Sequence, residues 1–227
     1  MTVHLGKELE KVKKMILTLG AMAERSVRTA TKAIESRDIN EAKSVIQADI
    51  EIDQMEVEIE EECLKLLALH QPVAIDLRFI ITVIKINSEL ERIADQAVNI
   101  AERMINIAKR ERIQVSFDYS GMAEKTQVML KNALDSLVNL DNDLARKVIF
   151  LDDEVDRMKR DVYDKVKEAI EAQPQHAGYL INLLLISRHL ERIGDHATDI
   201  AQEVIYLIEG EILRHKDKTS HLSSPQQ

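Results

Sequence analysis

Residues 90–101 read LERIADQAVNIA, and residues 190–201 read LERIGDHATDIA. The second copy begins 100 positions after the first. Leu90, Ile93, Ala97 and Ile100 recur at spacings of three and four, as do Leu190, Ile193, Ala197 and Ile200. That spacing puts each set on one face of an α-helix and marks it as a packing seam. The seam runs on through Val83, Ile86, Met104 and Ile107 in one copy and Leu183, Ile186, Val204 and Leu207 in the other. Two such seams imply a duplicated helical unit.

The duplication reaches further back. Asp38–Asp53 (DINEAKSVIQADIEID) matches Asp141–Asp156 (DNDLARKVIFLDDEVD) at an offset of 103. Pro72 and Pro174 fall at the corresponding turn, so the change of offset is absorbed in a connection, where length changes are tolerated. Val45, Ile52, Ile59 and Leu66, then Val148, Val155, Val162 and Ala169, give each preceding helix its apolar stripe. Asp38 and Asp141 suit the N-cap position, where a short acidic side chain accepts from free backbone N–H groups. His4–Ser36 and Asp118–Asn139 each read as one more helix. The expectation is an all-α chain of six long helices in two tandem, pseudo-symmetric antiparallel three-helix bundles, residues 1–112 and 113–213. The polar tail, residues 214–227, is expected to be disordered.

Composition agrees. The chain has 227 residues, 45% of them hydrophobic and only 3% aromatic, with six Gly and three Pro. So few turn formers favour long helices. One cysteine, Cys63, rules out an internal disulfide and fits a reducing compartment. The N-terminus lacks an apolar signal region, and FIITVI at 79–84, ended by Lys85, is far short of a membrane span. A net charge of −9 disfavours nucleic acid and anionic lipid and favours cations or basic partners.

The letters of the repeat that are not seam are mostly acids. Each half carries two acid-x-x-x-acid pairs: Asp49/Asp53 and Glu91/Asp95, then Asp152/Asp156 and Glu191/Asp195. Like charges at this spacing face the same way on a helix and cost roughly 0.2–0.5 kcal/mol. Both pairs of each half lie about 20 residues from the hairpin proline, hence about 30 Å from the turn at about 1.5 Å per residue. Antiparallel neighbours therefore bring four carboxylates together in each half. Glu91, Asp95 and Asn99 form a stripe turned away from the seam, as do Glu191, Asp195 and Asp199. Glu102 lies near the first stripe and Glu203 within reach of the second.

Clustered carboxylates suit Mg²⁺, Ca²⁺, Mn²⁺ or iron. A solvated face balanced by Lys or Arg is the commoner explanation of one acidic stripe, and Arg92 and Arg192 stand near enough to serve. Repetition of both pairs in both halves is what favours a metal. His189 and His196 do not repeat, since the first half has Glu89 and Gln96 there, and they are not counted as ligands. Glu56 and Glu60 have Lys159 and Tyr163 as counterparts and are read as solvated. Cys63 sits near an apolar stripe and reads as packing. Phosphate-loop, dinucleotide-loop, HExxH and Glu-x-x-His patterns are missing, and no nucleophile–base pair stands out. The expectation is a binding protein rather than an enzyme, with a metal store or metal-dependent enzyme as the alternative.

The doubled ERIxDxAxxIA phrase on two three-helix repeats, with acid-x-x-x-Asp pairs on consecutive helices, resembles the PhoU family of phosphate-transport accessory regulators. The resemblance runs from about His4 to Gly210, and HLERIGDHATDIA at 189–201 is its most specific part. It implies two PhoU-type bundles. It also implies multinuclear iron or zinc on Asp49, Asp53, Glu91, Asp95 and Asn99, and on Asp152, Asp156, Glu191, Asp195 and Asp199. Asn99 opposite Asp199 departs from strict symmetry and points to unequal halves. The resemblance further implies a cytoplasmic, commonly dimeric negative regulator of phosphate uptake and of the starvation response. Its expected partners are the membrane face of a phosphate ABC transporter and a sensor histidine kinase.

Overall fold

A computed structural model describes residues 3–111, 113 and 118–210. They form α1 (Val3–Ser36), α2 (Ile39–His70), α3 (Ala74–Ala108), α4 (Tyr119–Asn139), α5 (Asn142–Ala172) and α6 (Ala177–Glu209), with a 3₁₀ turn at Pro174–His176 before α6. The boundary drawn at 112/113 lies in the connection between α3 and α4. The tail at 214–227 lies outside the described residues. None of these helices is long and apolar enough to cross a membrane.

Local chemistry sets the helix ends. The Asp38 carboxylate accepts from the backbone N–H groups of Asn40 and Glu41, and Asp141 accepts from that of Leu144. Each satisfies donors that the first helical turn leaves free. At the other end of α2, Gln71 turns left-handed (φ 44°) and its N–H closes on the Leu67 carbonyl. Pro72, with no N–H to give, then prevents the helix from continuing.

The apolar seams become the core. All the seam residues named above are buried except Ala169 and Leu207, which are partly exposed. One continuous apolar cluster draws residues from all six helices. A smaller one, Val162, Val166 and Leu180, closes the far end of the α5–α6 hairpin.

The two halves meet chiefly along α3 and α6. His196 on α6 lies 2.7 Å from Glu89 on α3, and His189 lies 2.9 Å from Gln96. Rising numbers on one helix meet falling numbers on the other, so the two run antiparallel. The repeat maps 89 onto 189 and 96 onto 196, so these are one contact made twice about a pseudo-two-fold axis. LERIADQ and LERIGDH thus lie beside each other across that axis. A second crossing joins α1 and α4. A Cβ at Gly20 would start 2.7 Å from Leu134 Cδ2, so a larger residue there would make the Leu134 side chain shift.

Because the core is shared, the halves should unfold together. Leu90→Ala and Leu190→Ala each remove a fully buried side chain and should cost about 2–5 kcal/mol. In denaturant titrations both should shift one transition. Two separate transitions, each moved by only one variant, would contradict a shared core.

Candidate functional site

The first group of acids sits where α2 faces α3. Asp49 and Glu91 are half-buried, while Asp53 and Asp95 are exposed. They act on one another electrically. Burial, then Asp53 and Asp95, pushes the Asp49 carboxyl up to about 6. Burial is also the main cause that raises Glu91 above the ordinary range, aided by Asp95, Asp53, Glu56 and Asp49. Asp95 is raised by burial and by Asp53. Among the described residues no Lys, Arg or His forms an ion pair with any of these four acids.

Glu56 belongs with them, against the sequence expectation. It is half-buried and raised by burial, Glu60 and Asp53, and its charge reaches Glu91. Its counterpart Lys159 carries the opposite charge, so repetition along the chain gives no sign of it. The usable signal was local: Glu56 follows Asp53 by one helical turn on the same stripe.

The second group occupies the matching place between α5 and α6. One carboxylate oxygen from each of Asp156, Glu191 and Asp195 lies within 4.8 Å of the others. Asp152 is half-buried beside them, its carboxyl pushed up to about 7 by burial, then by Asp195 and Asp156. Asp195 is raised as well, by burial first and by Glu191. Here cations do intrude. Lys159 Nζ stands 2.8 Å from Glu191, and Arg160 stands 3.8 Å from Asp156. The halves are therefore unequal: the first is uncompensated and more open, the second tighter and partly neutralised.

Three further residues have partners that the repeat does not show, although the charge of Asp199 still helps to raise Asp195. The Asn99 amide donates to the Asp95 backbone carbonyl at 2.8 Å, so its nitrogen serves its own helix. Asp199 lies with Glu89 and His196, the three offering donors within 4.8 Å of one another. Glu203, which the helical stripe brought within reach of the second group, is buried and pairs with Lys85 of α3 at 3.0 Å. Cys63 is buried, as its stripe implied, and burial pushes its thiol up to about 11. His189 and His196 lacked repetition because each meets the other half. The partner of position 196 is position 89, not position 96.

Both acid groups fit hard or borderline cations chemically. They offer oxygen donors, several partly desolvated, whose mutual repulsion a cation would cancel. In metal-free protein burial, reinforced by that repulsion, acts on stability with a definite sign. A carboxyl whose folded pKa lies above its unfolded value holds more protons when folded, between the two values. Stability then falls as pH rises through that window, here from about 4 to about 7 for Asp152. Chelated protein should accordingly show a higher melting temperature for Asp152→Asn than for wild type at pH 8, and little difference at pH 4. Calorimetry at both pH values checks this, and a difference independent of pH would contradict it.

Comparisons with known proteins agree with this architecture. The PhoU domain model matches residues 16–104 and again 119–204. The phosphate-specific transport system accessory protein PhoU homolog of Aquifex aeolicus is 36% identical over 214 residues, 94% of this chain and 97% of that one. The homolog of Pseudomonas aeruginosa is 37% identical over 95% of this chain and 91% of its own. The crystal structure of PhoU from P. aeruginosa superposes with a TM-score of 0.88 at 36% identity, covering 91% of this chain and 99% of that one. The phosphate transport system regulatory protein PhoU from Streptococcus pneumoniae superposes with a TM-score of 0.81 at 27% identity, covering 92% and 99%. Twice-matched domain, near-complete coverage and shared fold together make this chain a member of the PhoU family.

Proposed function

We propose that this protein is a cytoplasmic, homodimeric regulator that restrains phosphate uptake and the phosphate-starvation response. It does so by contact with a phosphate ABC transporter and a sensor histidine kinase, and not by turnover of a substrate. The observation that carries this reading is likeness along nearly the whole chain to proteins named as accessory to phosphate-specific transport.

In this reading Asp49, Asp53, Glu91 and Asp95 hold one multinuclear iron or zinc cluster, with Glu56 at its edge. Asp152, Asp156, Glu191 and Asp195 hold a second. The bound metal supplies the positive charge that lets these acids stay ionised side by side. Lys159 must leave Glu191 when the second cluster fills, so the two halves load with different ease.

Contact with a partner needs an exposed face, and α2 offers one. Ile50, Val57 and Leu64 recur every seven residues and are 61%, 51% and 53% exposed. Their counterparts on α5 are Asp153, Arg160 and Lys167, so the second half has charge where the first has an apolar stripe. Asp53 and Glu60 run along its edge. An apolar stripe with an acidic border suits an amphipathic partner helix with basic flanks. Two copies of this chain meeting α2 to α2 would set acid against acid.

Deleting the gene in its own host should raise phosphate uptake and switch on the starvation response in phosphate-replete medium. Unchanged uptake and expression would overturn the reading. Restoring the triple variant Ile50→Asp, Val57→Arg, Leu64→Lys should fail to reverse the deletion. The substitutions are on the surface, so stability should hold within about 0.5 kcal/mol. Full restoration would show that α2 is not the contact face.

A further inference from the structure

The pseudo-two-fold contact between α3 and α6 is made twice, with different chemistry each time. Its positions are 89, 196 and 199 on one arm and 189, 96 and 99 on the other. One arm holds Glu89, His196 and Asp199. The other holds His189, Gln96 and Asn99. The same geometry thus carries three metal-ligating side chains once and a histidine with two amides once.

On the amide arm one histidine nitrogen is paired, while the other, His189 Nε2, is buried without a hydrogen-bond partner among the described residues. His189 Nδ1 meets Gln96 Oε1 at 2.9 Å, and the Asn99 amide is spent on the Asp95 carbonyl. On the charged arm, His196 Nδ1 lies 2.7 Å from Glu89 Oε2, and Glu89, His196 and Asp199 each offer one ligand atom within 4.8 Å of the other two. Glu89 is 8% exposed, and His196 and Asp199 are half-buried. Arg92 holds the other carboxylate oxygen of Glu89 at 3.2 Å. It leaves Oε2 facing the histidine and fixes the carboxylate plane, the role usual for a group behind a ligand.

We propose that Glu89, His196 and Asp199 form a divalent transition-metal site at the junction of the two halves. An equilateral triangle with that separation as its edge has its centre about 2.8 Å from each corner, against bonds of about 2.0–2.2 Å to nitrogen and oxygen. Each donor need move inward by well under about 1 Å, within reach of small side-chain rotations. One imidazole nitrogen with two carboxylate oxygens selects borderline ions such as Zn²⁺, Mn²⁺ or Fe²⁺ over Mg²⁺ or Ca²⁺. Three protein ligands leave remaining positions to water or an anion. Because the ligands come from both helices, an ion here ties α3 to α6 across the axis. The site does not depend on metal in the all-oxygen groups, although Asp199 lies one turn beyond Asp195 of the second.

Chelator-treated full-length protein, titrated with Mn²⁺, tests this by pulsed EPR for imidazole ¹⁴N coupling and by equilibrium dialysis for stoichiometry. Wild type should show nitrogen coupling. His196→Gln should lose it together with one bound ion per chain. His189→Gln should keep both. Glu89→Gln, close in shape to the native side chain, should weaken that ion's binding at least tenfold while circular dichroism stays native. Asp49→Asn with Asp95→Asn, and separately Asp152→Asn with Asp156→Asn, should leave the nitrogen signal unchanged, so failure of either carboxylate cluster would not remove this site. Absence of nitrogen coupling in wild type, or its persistence in His196→Gln, would overturn the proposal.

Discussion

The antiparallel packing of α3 against α6 is the constraint on which the rest depends. Leu90, Ile93, Ala97 and Ile100 and their four counterparts are fully buried. They must pack against their own hairpin and against the other half at once. Burial of a Leu or Ile side chain is worth about 1.5–3 kcal/mol, so these two short stretches supply a large part of what holds the halves together. Such a seam faces inward over a wide arc and leaves each helix only a narrow outer stripe. Glu91 and Asp95, and Glu191 and Asp195, occupy that stripe. Their position on the surface follows from the packing and was not independently chosen.

The same geometry explains why the acids are costly. Hairpin symmetry about Pro72 and Pro174 levels each α3 or α6 pair with a pair on its neighbour. Partial burial then raises Asp49 and Asp152 well above the ordinary carboxylate range, with help from the neighbouring acids. The halves handle this cost differently. The second brings in Lys159 and Arg160. The first has Glu56 and Val57 at those places and adds a charge instead of removing one. A duplicated fold has thus diverged on one helix face, in both charge and apolar exposure, while its seam stayed alike.

Most of the fold was legible in the sequence because its signals are periodic and local. Seam spacing, the caps at Asp38 and Asp141, and the two prolines each act within a few residues or one hairpin. The pairing of acids within each half was legible for the same reason, since helix length alone sets the level. The contacts across the axis were not. Pairing Glu89 with His196, and Glu203 with Lys85, requires knowing that α3 crosses α6 antiparallel near Ile93 and Ile193, and neither half contains that information. Comparing equivalent positions also misjudged Glu56 and the two histidines. It assumes that function repeats along the chain, whereas these residues differ because the halves have parted or because each faces its opposite number.

The central claim is that the paired acids of consecutive helices are kept together for cations. Anomalous diffraction at the iron and zinc edges, on crystals of protein purified without chelator or metal-affinity resin, measures this directly. The account predicts anomalous peaks among Asp49, Asp53, Glu91 and Asp95 and among Asp152, Asp156, Glu191 and Asp195, with Lys159 displaced from Glu191. Featureless maps at both edges over these carboxylates, with Lys159 still in place on Glu191 in fully active protein, would contradict it.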